Sequence, residues 1–229
     1  MRIAEIYRSK QGEGFLTGTE SVFVRASGCN LRCSFCDTPF TSWSPEGEEL
    51  SVAEILEQIA RCEPCDHVVI TGGEPMLFAE LLPLTANLKT KQKHITIETA
   101  GTLFLPVACD LMSISPKLAN STPSPERDAH WSRRHEQARH VPDVIRRLVR
   151  EFTYQIKFVV DAEDDLAEVE RYLAEFPEID RARVLLMPQG TTLAELSVRA
   201  AWLEPYCRSH NFTYCPRKHI EWYGHTRGT

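Results

Sequence analysis

Three cysteines, Cys29, Cys33 and Cys36, stand close together in the stretch GCNLRCSFCDT, which runs from Gly28 to Thr38. Thiolates are soft ligands, suited to zinc or to iron–sulfur clusters. Structural zinc usually takes four ligands. This stretch holds only three, with no histidine beside them, so a fourth would have to come from Cys62, Cys65, Cys207 or Cys215. Three thiolates on a four-iron cluster instead leave one iron open to a substrate or cofactor. The glycine before the triplet and the polar residues within it argue against ordinary packed cysteines. A second constellation is TGGEP, Thr71 to Pro75. Gly72 and Gly73 let a backbone approach a ligand closely, and Glu74 can pair with an ammonium group. Alone, such a segment is a strand-to-helix turn; beside a thiol triplet it reads as cofactor-binding.

The elements that must position these groups alternate along the chain. Ser21–Ser27 (SVFVRAS) reads as a strand running into the triplet. Ser51–Cys62 reads as a helix with Ser51 as N-cap and Glu54 at the capping-box position. His67–Thr71 is a buried strand ending at the glycine pair, and 76–90 a helix that Pro83 kinks or delays. Strands follow at His94–Thr99 and Asp110–Ser115, then a polar, proline-rich loop, PKLANSTPSPERD. Residues 131–150 form an arginine-rich helical region interrupted near Pro142. Tyr154–Asp161 and Ala182–Gly190 read as strands, each followed by a helix. This alternation predicts an α/β fold with a mostly parallel sheet. About six strands fall short of a full eight-stranded barrel, so an incomplete (β/α) barrel is expected. The polar segments TGGEP, ETAG, SPK and MPQG fall at the carboxyl ends of the strands, where parallel α/β folds bind ligands.

Length and composition set the bounds. A chain of 229 residues with 42% hydrophobic and 25% charged residues suits one soluble globular domain over 1–229. Its polar insertion lies around 118–150, and a tail follows the last helix. A formal net charge of −6 supplies no global field for nucleic acid. No apolar run approaches the length of a membrane span, and MRIAEIYRSKQGEG has no signal-peptide core. A cytoplasmic setting is expected, in which clustered cysteines favour metal or redox chemistry over disulfides.

The spacing C-x3-C-x2-C after a first strand resembles the signature of radical S-adenosylmethionine (SAM) enzymes, and the GGE of TGGEP resembles that family's SAM-binding motif. The resemblance implies a [4Fe–4S] cluster on Cys29, Cys33 and Cys36, with SAM on the open iron. It also implies a 5′-deoxyadenosyl radical as the reactive species. Within that superfamily, QGEG at Gln11–Gly14, SVFVRASGCNLRCSFCDT, SPKLANSTP, QIKFVV and LMPQGTT together resemble 7-carboxy-7-deazaguanine synthases. The likeness runs through nearly the whole chain. It implies ring contraction of 6-carboxy-5,6,7,8-tetrahydropterin to 7-carboxy-7-deazaguanine with loss of ammonia, in queuosine or related deazapurine biosynthesis.

The same resemblance assigns roles to residues. Gln11, Gly12 and Glu13 match the pterin-binding segment, Arg25 the partner of the substrate carboxylate, and Thr71 a further substrate contact. Phe35, Cys36, Asp37, Gly73, Glu74, Ser115, Pro116, Lys117, Met187, Pro188, Gln189 and Gly190 match SAM contacts, and Thr38 matches a Mg2+ ligand. Glu98, in ETAG, either contacts substrate or satisfies neighbouring backbone. His219, Trp222 and Thr229 are candidate contacts from a tail that reaches the site in the family. The family further implies a homodimer and an electron donor such as flavodoxin, with no direct nucleic-acid partner and no membrane. Two rivals remain at this point: a glycyl-radical enzyme activase with a protein partner, and a non-catalytic zinc module using one spare cysteine. Cys62, Cys65, Cys207 and Cys215 read as free thiols rather than an auxiliary site, and Cys109 as a small packed hydrophobe. The arginines between Arg127 and Arg150 read as a solvated helix face.

Overall fold

A computed structural model describes every residue from Met1 to Thr229. One nine-stranded sheet carries the chain, in the order β3-β1-β2-β4-β5-β6-β7-β8-β9. The expected strands are β2 (Glu20–Ala26), β4 (His67–Gly72), β5 (His94–Thr99), β6 (Leu111–Ile114), β7 (Tyr154–Val160) and β8 (Val184–Pro188). All six run parallel. β1 (Arg2–Lys10) lies antiparallel on β2 and had no counterpart in the sequence reading. Two-residue strands, β3 (Glu48–Glu49) and β9 (Thr213–Tyr214), finish the two edges.

The helices are α1 (Val52–Arg61), α2 (Leu81–Thr90), α3 (Pro125–Ala138), α4 (Pro142–Glu151), α5 (Asp165–Glu175), α6 (Leu193–His210) and α7 (Lys218–Tyr223). The capping box at Ser51 and Glu54 forms as expected. Pro83 does delay its helix: α2 starts at Leu81, so the proline falls in the first turn, where a missing N–H costs no intrahelical bond. The loop expected up to Asp128 ends earlier. Pro125 is the first residue of α3 and Ser124 its N-cap, the side chain accepting from the Arg127 N–H. A serine N-cap followed by proline is itself a helix start. The break near Pro142 separates α3 from α4. No helix is long and apolar enough to cross a membrane.

Strand periodicity positions the site. Val24, Ile70, Ile97, Met112 and Ile156 are wholly buried and belong to the main core. The alternate positions, Arg25, Thr71, Glu98, Ser113, Lys157 and Met187, face a single cavity. Registers pair Arg25 with Thr71 and Glu98 with Ser113, so these groups form rows across the sheet. Beyond the strand ends, the loops after β2 and β4 interlock. The Glu74 N–H donates to the Gly28 carbonyl at 2.8 Å, and the Gly73 N–H to the Ala26 carbonyl at 3.0 Å. A methyl on Gly73 would stand 2.1 Å from the Gly28 oxygen, so only glycine allows this crossing.

Candidate active site

The cavity at the carboxyl ends of the strands measures about 550 Å³. All three triplet cysteines line it, together with Phe35, Asp37, Thr38 and Gly73. Burial pushes the Cys29 thiol up to about 11 and the Cys33 thiol to about 12. Such thiols stay protonated unless a metal's charge favours the thiolate. The Leu31 N–H donates to Cys29 Sγ at 3.4 Å, and Ser42 Oγ lies 3.2 Å from Cys36 Sγ. No three His, Cys, Asp or Glu side chains converge where one metal ion would sit. Three thiols lining one cavity fit the ligand set of a four-iron cluster. Thr38 Oγ1 lies 3.9 Å from Cys36 Sγ at the same wall.

The same cavity is lined by a buried charge network. Glu13 pairs with Lys157, and with Arg217 Nε at 3.0 Å. Arg217 also pairs with Asp37 and donates to the Gly190 carbonyl. One guanidinium, from the tail, therefore ties the Glu13, Asp37 and Gly190 segments together. His219 Nδ1 approaches Glu13 at 3.8 Å. Burial by itself would push the Glu13 carboxyl up, but Lys157, Arg217 and His219 together hold it well below the usual range. Burial lowers Lys157, but Glu13 and Glu98 outweigh it and keep the ammonium charged. Thr71 Oγ1 donates to Glu98 at 2.6 Å, and Glu98 lies 3.6 Å from Lys157. Glu98 therefore faces the cavity and holds Thr71.

Arg25 donates from Nε to Glu5 at 2.6 Å and from Nη2 to the Tyr7 hydroxyl at 2.7 Å. Gln11 lines the cavity and donates to Ser21 Oγ at 2.9 Å. Lys117 folds onto Ser115, donating to its carbonyl at 2.8 Å. Glu74 is placed differently from its neighbours. It is wholly buried beneath the cavity, its carboxylate accepting from Thr99 Oγ1 and the Ala100 N–H at 2.9 Å. In this arrangement it braces the wall, and Gly73 faces the cavity. Pro116, Pro188 and Gly190 likewise lie behind the surface that Ser115, Lys117, Met187 and Gln189 present. Of the three tail candidates, His219 and Thr229 reach the cavity and Trp222 does not.

Comparison with known proteins shows the family and the fold. The radical SAM superfamily model matches residues 23–120. A 7-carboxy-7-deazaguanine synthase of Rhodopirellula baltica is 43% identical over 99% of this chain and 88% of its own length. Its counterpart in Halobacterium salinarum is also 43% identical, over 95% of this chain and 88% of its own. The chain belongs to the 7-carboxy-7-deazaguanine synthase family. The crystal structure of QueE from Escherichia coli superposes with a TM-score of 0.71 at 25% identity, covering 95% of this chain and 94% of that one. Streptococcus suis SuiB shares the fold at a TM-score of 0.56 and 17% identity, over 85% of this chain and 48% of that one. The fold is thus the radical SAM partial barrel, and the family's cofactors are a [4Fe–4S] cluster and SAM. Membership in a radical SAM lyase family displaces both the activase and the zinc module.

Sequence reasoning missed four site residues. Lys157 had a signal, as the lone cation within the apolar strand YQIKFVV. Glu5 and Tyr7 alternate along β1, which went unassigned. Arg217 sits in a tail without periodicity, and nothing local marks it.

Proposed function

We propose that this chain converts 6-carboxy-5,6,7,8-tetrahydropterin to 7-carboxy-7-deazaguanine, releasing ammonia, as a radical SAM lyase of deazapurine biosynthesis. The observation that carries the reading is one cavity lined both by the thiol triplet and by Glu13, Lys157, Glu98 and Arg25. When bound, the cluster and SAM supply one-electron chemistry, a 5′-deoxyadenosyl radical that can take a hydrogen atom from the substrate.

The chain's own residues bind, orient and exclude water. The aminopyrimidine edge of a pterin presents N–H donors, and Glu13, held ionised, is an acceptor-only group suited to them. Arg25 keeps Nη1 free of protein partners, and its planar fork suits the substrate carboxylate. Glu5 and Tyr7 fix that guanidinium before substrate arrives. Gln11, Gly12 and Thr71 complete the pterin wall. Phe35, Asp37, Gly73, Ser115, Lys117, Met187 and Gln189 surround the SAM position, with Pro116, Pro188 and Gly190 behind them and Glu74 bracing Thr99 and Ala100. Thr38 would offer its hydroxyl to Mg2+, an ion that draws its remaining ligands from substrate and water. The same reading takes a flavodoxin-like electron donor, a homodimer and a cytoplasmic setting, on the strength of the family resemblance.

The test is anaerobic reconstitution with iron and sulfide, followed by SAM, a reductant and 6-carboxytetrahydropterin, with and without Mg2+. 7-Carboxy-7-deazaguanine, followed by mass, is the expected product, formed faster with Mg2+. SAM cleavage without that product would sink the substrate assignment.

A further inference from the structure

The polar insertion between β6 and β7 grips the loop that carries the thiol triplet. His135 of α3 is wholly buried. Its Nδ1 accepts from the backbone N–H of Arg32 at 3.1 Å. Nε2 therefore carries the proton and donates to Ser121 Oγ at 2.9 Å, whose hydroxyl donates to the Leu118 carbonyl at 2.6 Å. On the other side of Cys33, the Ser34 N–H donates to the Ser121 carbonyl at 2.8 Å. Arg127 Nη1 donates to the Ser34 carbonyl at 2.8 Å. Trp43 Nε1 donates to the carbonyl of Cys33 itself at 3.0 Å. The Arg32 guanidinium covers this face, 4.1 Å from the Trp131 ring centre. The backbone on both sides of Cys33 is thus held from outside the cavity.

We propose that His135 is a positioning residue for the cluster loop, fixing the Arg32 peptide so that Cys33 presents its sulfur to the cavity. The inference rests on the triplet being the cluster's ligands. A neutral imidazole suits the task because it accepts a backbone N–H on one nitrogen and donates from the other. Groups standing behind metal ligands typically change metal affinity by about 10–100-fold.

Wild-type, His135→Asn, His135→Gln and His135→Ala chains are reconstituted, challenged with an iron chelator and followed by absorbance. The reduced-state EPR spectrum is recorded on the same samples. Asparagine places its carbonyl oxygen where Nδ1 stands, whereas glutamine places its polar atoms near the Nε2 position. The expected result is retention in the Asn variant close to wild type. The Gln and Ala variants should lose iron roughly 10–100-fold faster, with an altered EPR signature. Equal retention in all four chains overturns the proposal. So does equal loss from Asn and Gln, or better retention by Gln, which would make the role one of filled volume. Thermal unfolding of the iron-free chains identifies a variant that fails to fold. For such a case Ser121→Ala, which removes the imidazole's other partner, carries the same expectation at smaller magnitude. A wild-type chain that takes up no four-iron cluster would instead sink the ligand assignment itself.

Discussion

Glu13 is the residue on which the charge balance of the site turns. Its side chain is 16% exposed, and Lys157 and Arg217, at 6% each, both bind it. Its carboxyl is held below the unfolded value. The pairing therefore contributes stability that is whole above the unfolded carboxylate pKa, about 4.3, and is lost as pH falls below it. Glu13→Gln leaves a buried ammonium without its closest partner, at a cost of about 3 kcal/mol at pH 7. Urea unfolding across a pH series should find wild type losing stability steeply below about pH 5 and the variant more shallowly, the two converging in acid. Parallel curves would mean that another group titrates there. Glu13 stood out only through the resemblance of QGEG to the family's pterin-binding segment. Its cations did not, because they come from β7 and the tail, far away in sequence.

Interlocking strand-end loops control the element scale. A methyl on Gly73 would meet the Gly28 oxygen at 2.1 Å and the Thr41 oxygen at 2.8 Å, both backbone atoms that cannot swing aside. Gly73→Ala must therefore push the triplet loop away from the strand ends. SAM affinity, measured by equilibrium dialysis on the reconstituted enzyme, should fall by about tenfold or more, a loss of roughly 1.4 kcal/mol. Unchanged affinity would detach the crossing from cofactor binding. Helix boundaries at this scale followed local chemistry. Ser51 with Glu54 forms the expected capping box, and Ser124-Pro125 starts α3 inside a stretch whose prolines favoured a loop. β1 escaped notice because, as the next-to-edge strand on an open barrel, it mixes core and cavity side chains instead of showing one apolar face.

At the scale of the whole molecule, the partial barrel brings three thiols to one cavity and scatters the other five. All eight cysteines are free. Cys65 and Cys207 are buried in the main core, whereas Cys215 packs with Leu185 and Met187. Cys62 closes α1 as its C-cap, and Cys109 packs at the core's edge. Iron analysis of a reconstituted Cys62→Ser/Cys65→Ser chain should give about four irons, as in wild type, whereas Cys33→Ser should abolish the intact cluster. About eight irons in wild type, falling in the double variant, would instead reveal an auxiliary cluster.

The sequence by itself determined the six parallel strands, the triplet, the glycine pair at the end of β4 and the polar ends of the strands. These depend on periods of two and 3.6 residues and on ligands close together in the chain. Tertiary structure alone decided that Lys157 and Arg217 balance Glu13, that Glu74 lies beneath the wall, and that α3 grips the triplet loop through His135. Such contacts join residues up to about 200 positions apart. A charge or hydrogen bond between groups so far apart leaves no local pattern, because its energy depends on distance through space and on burial.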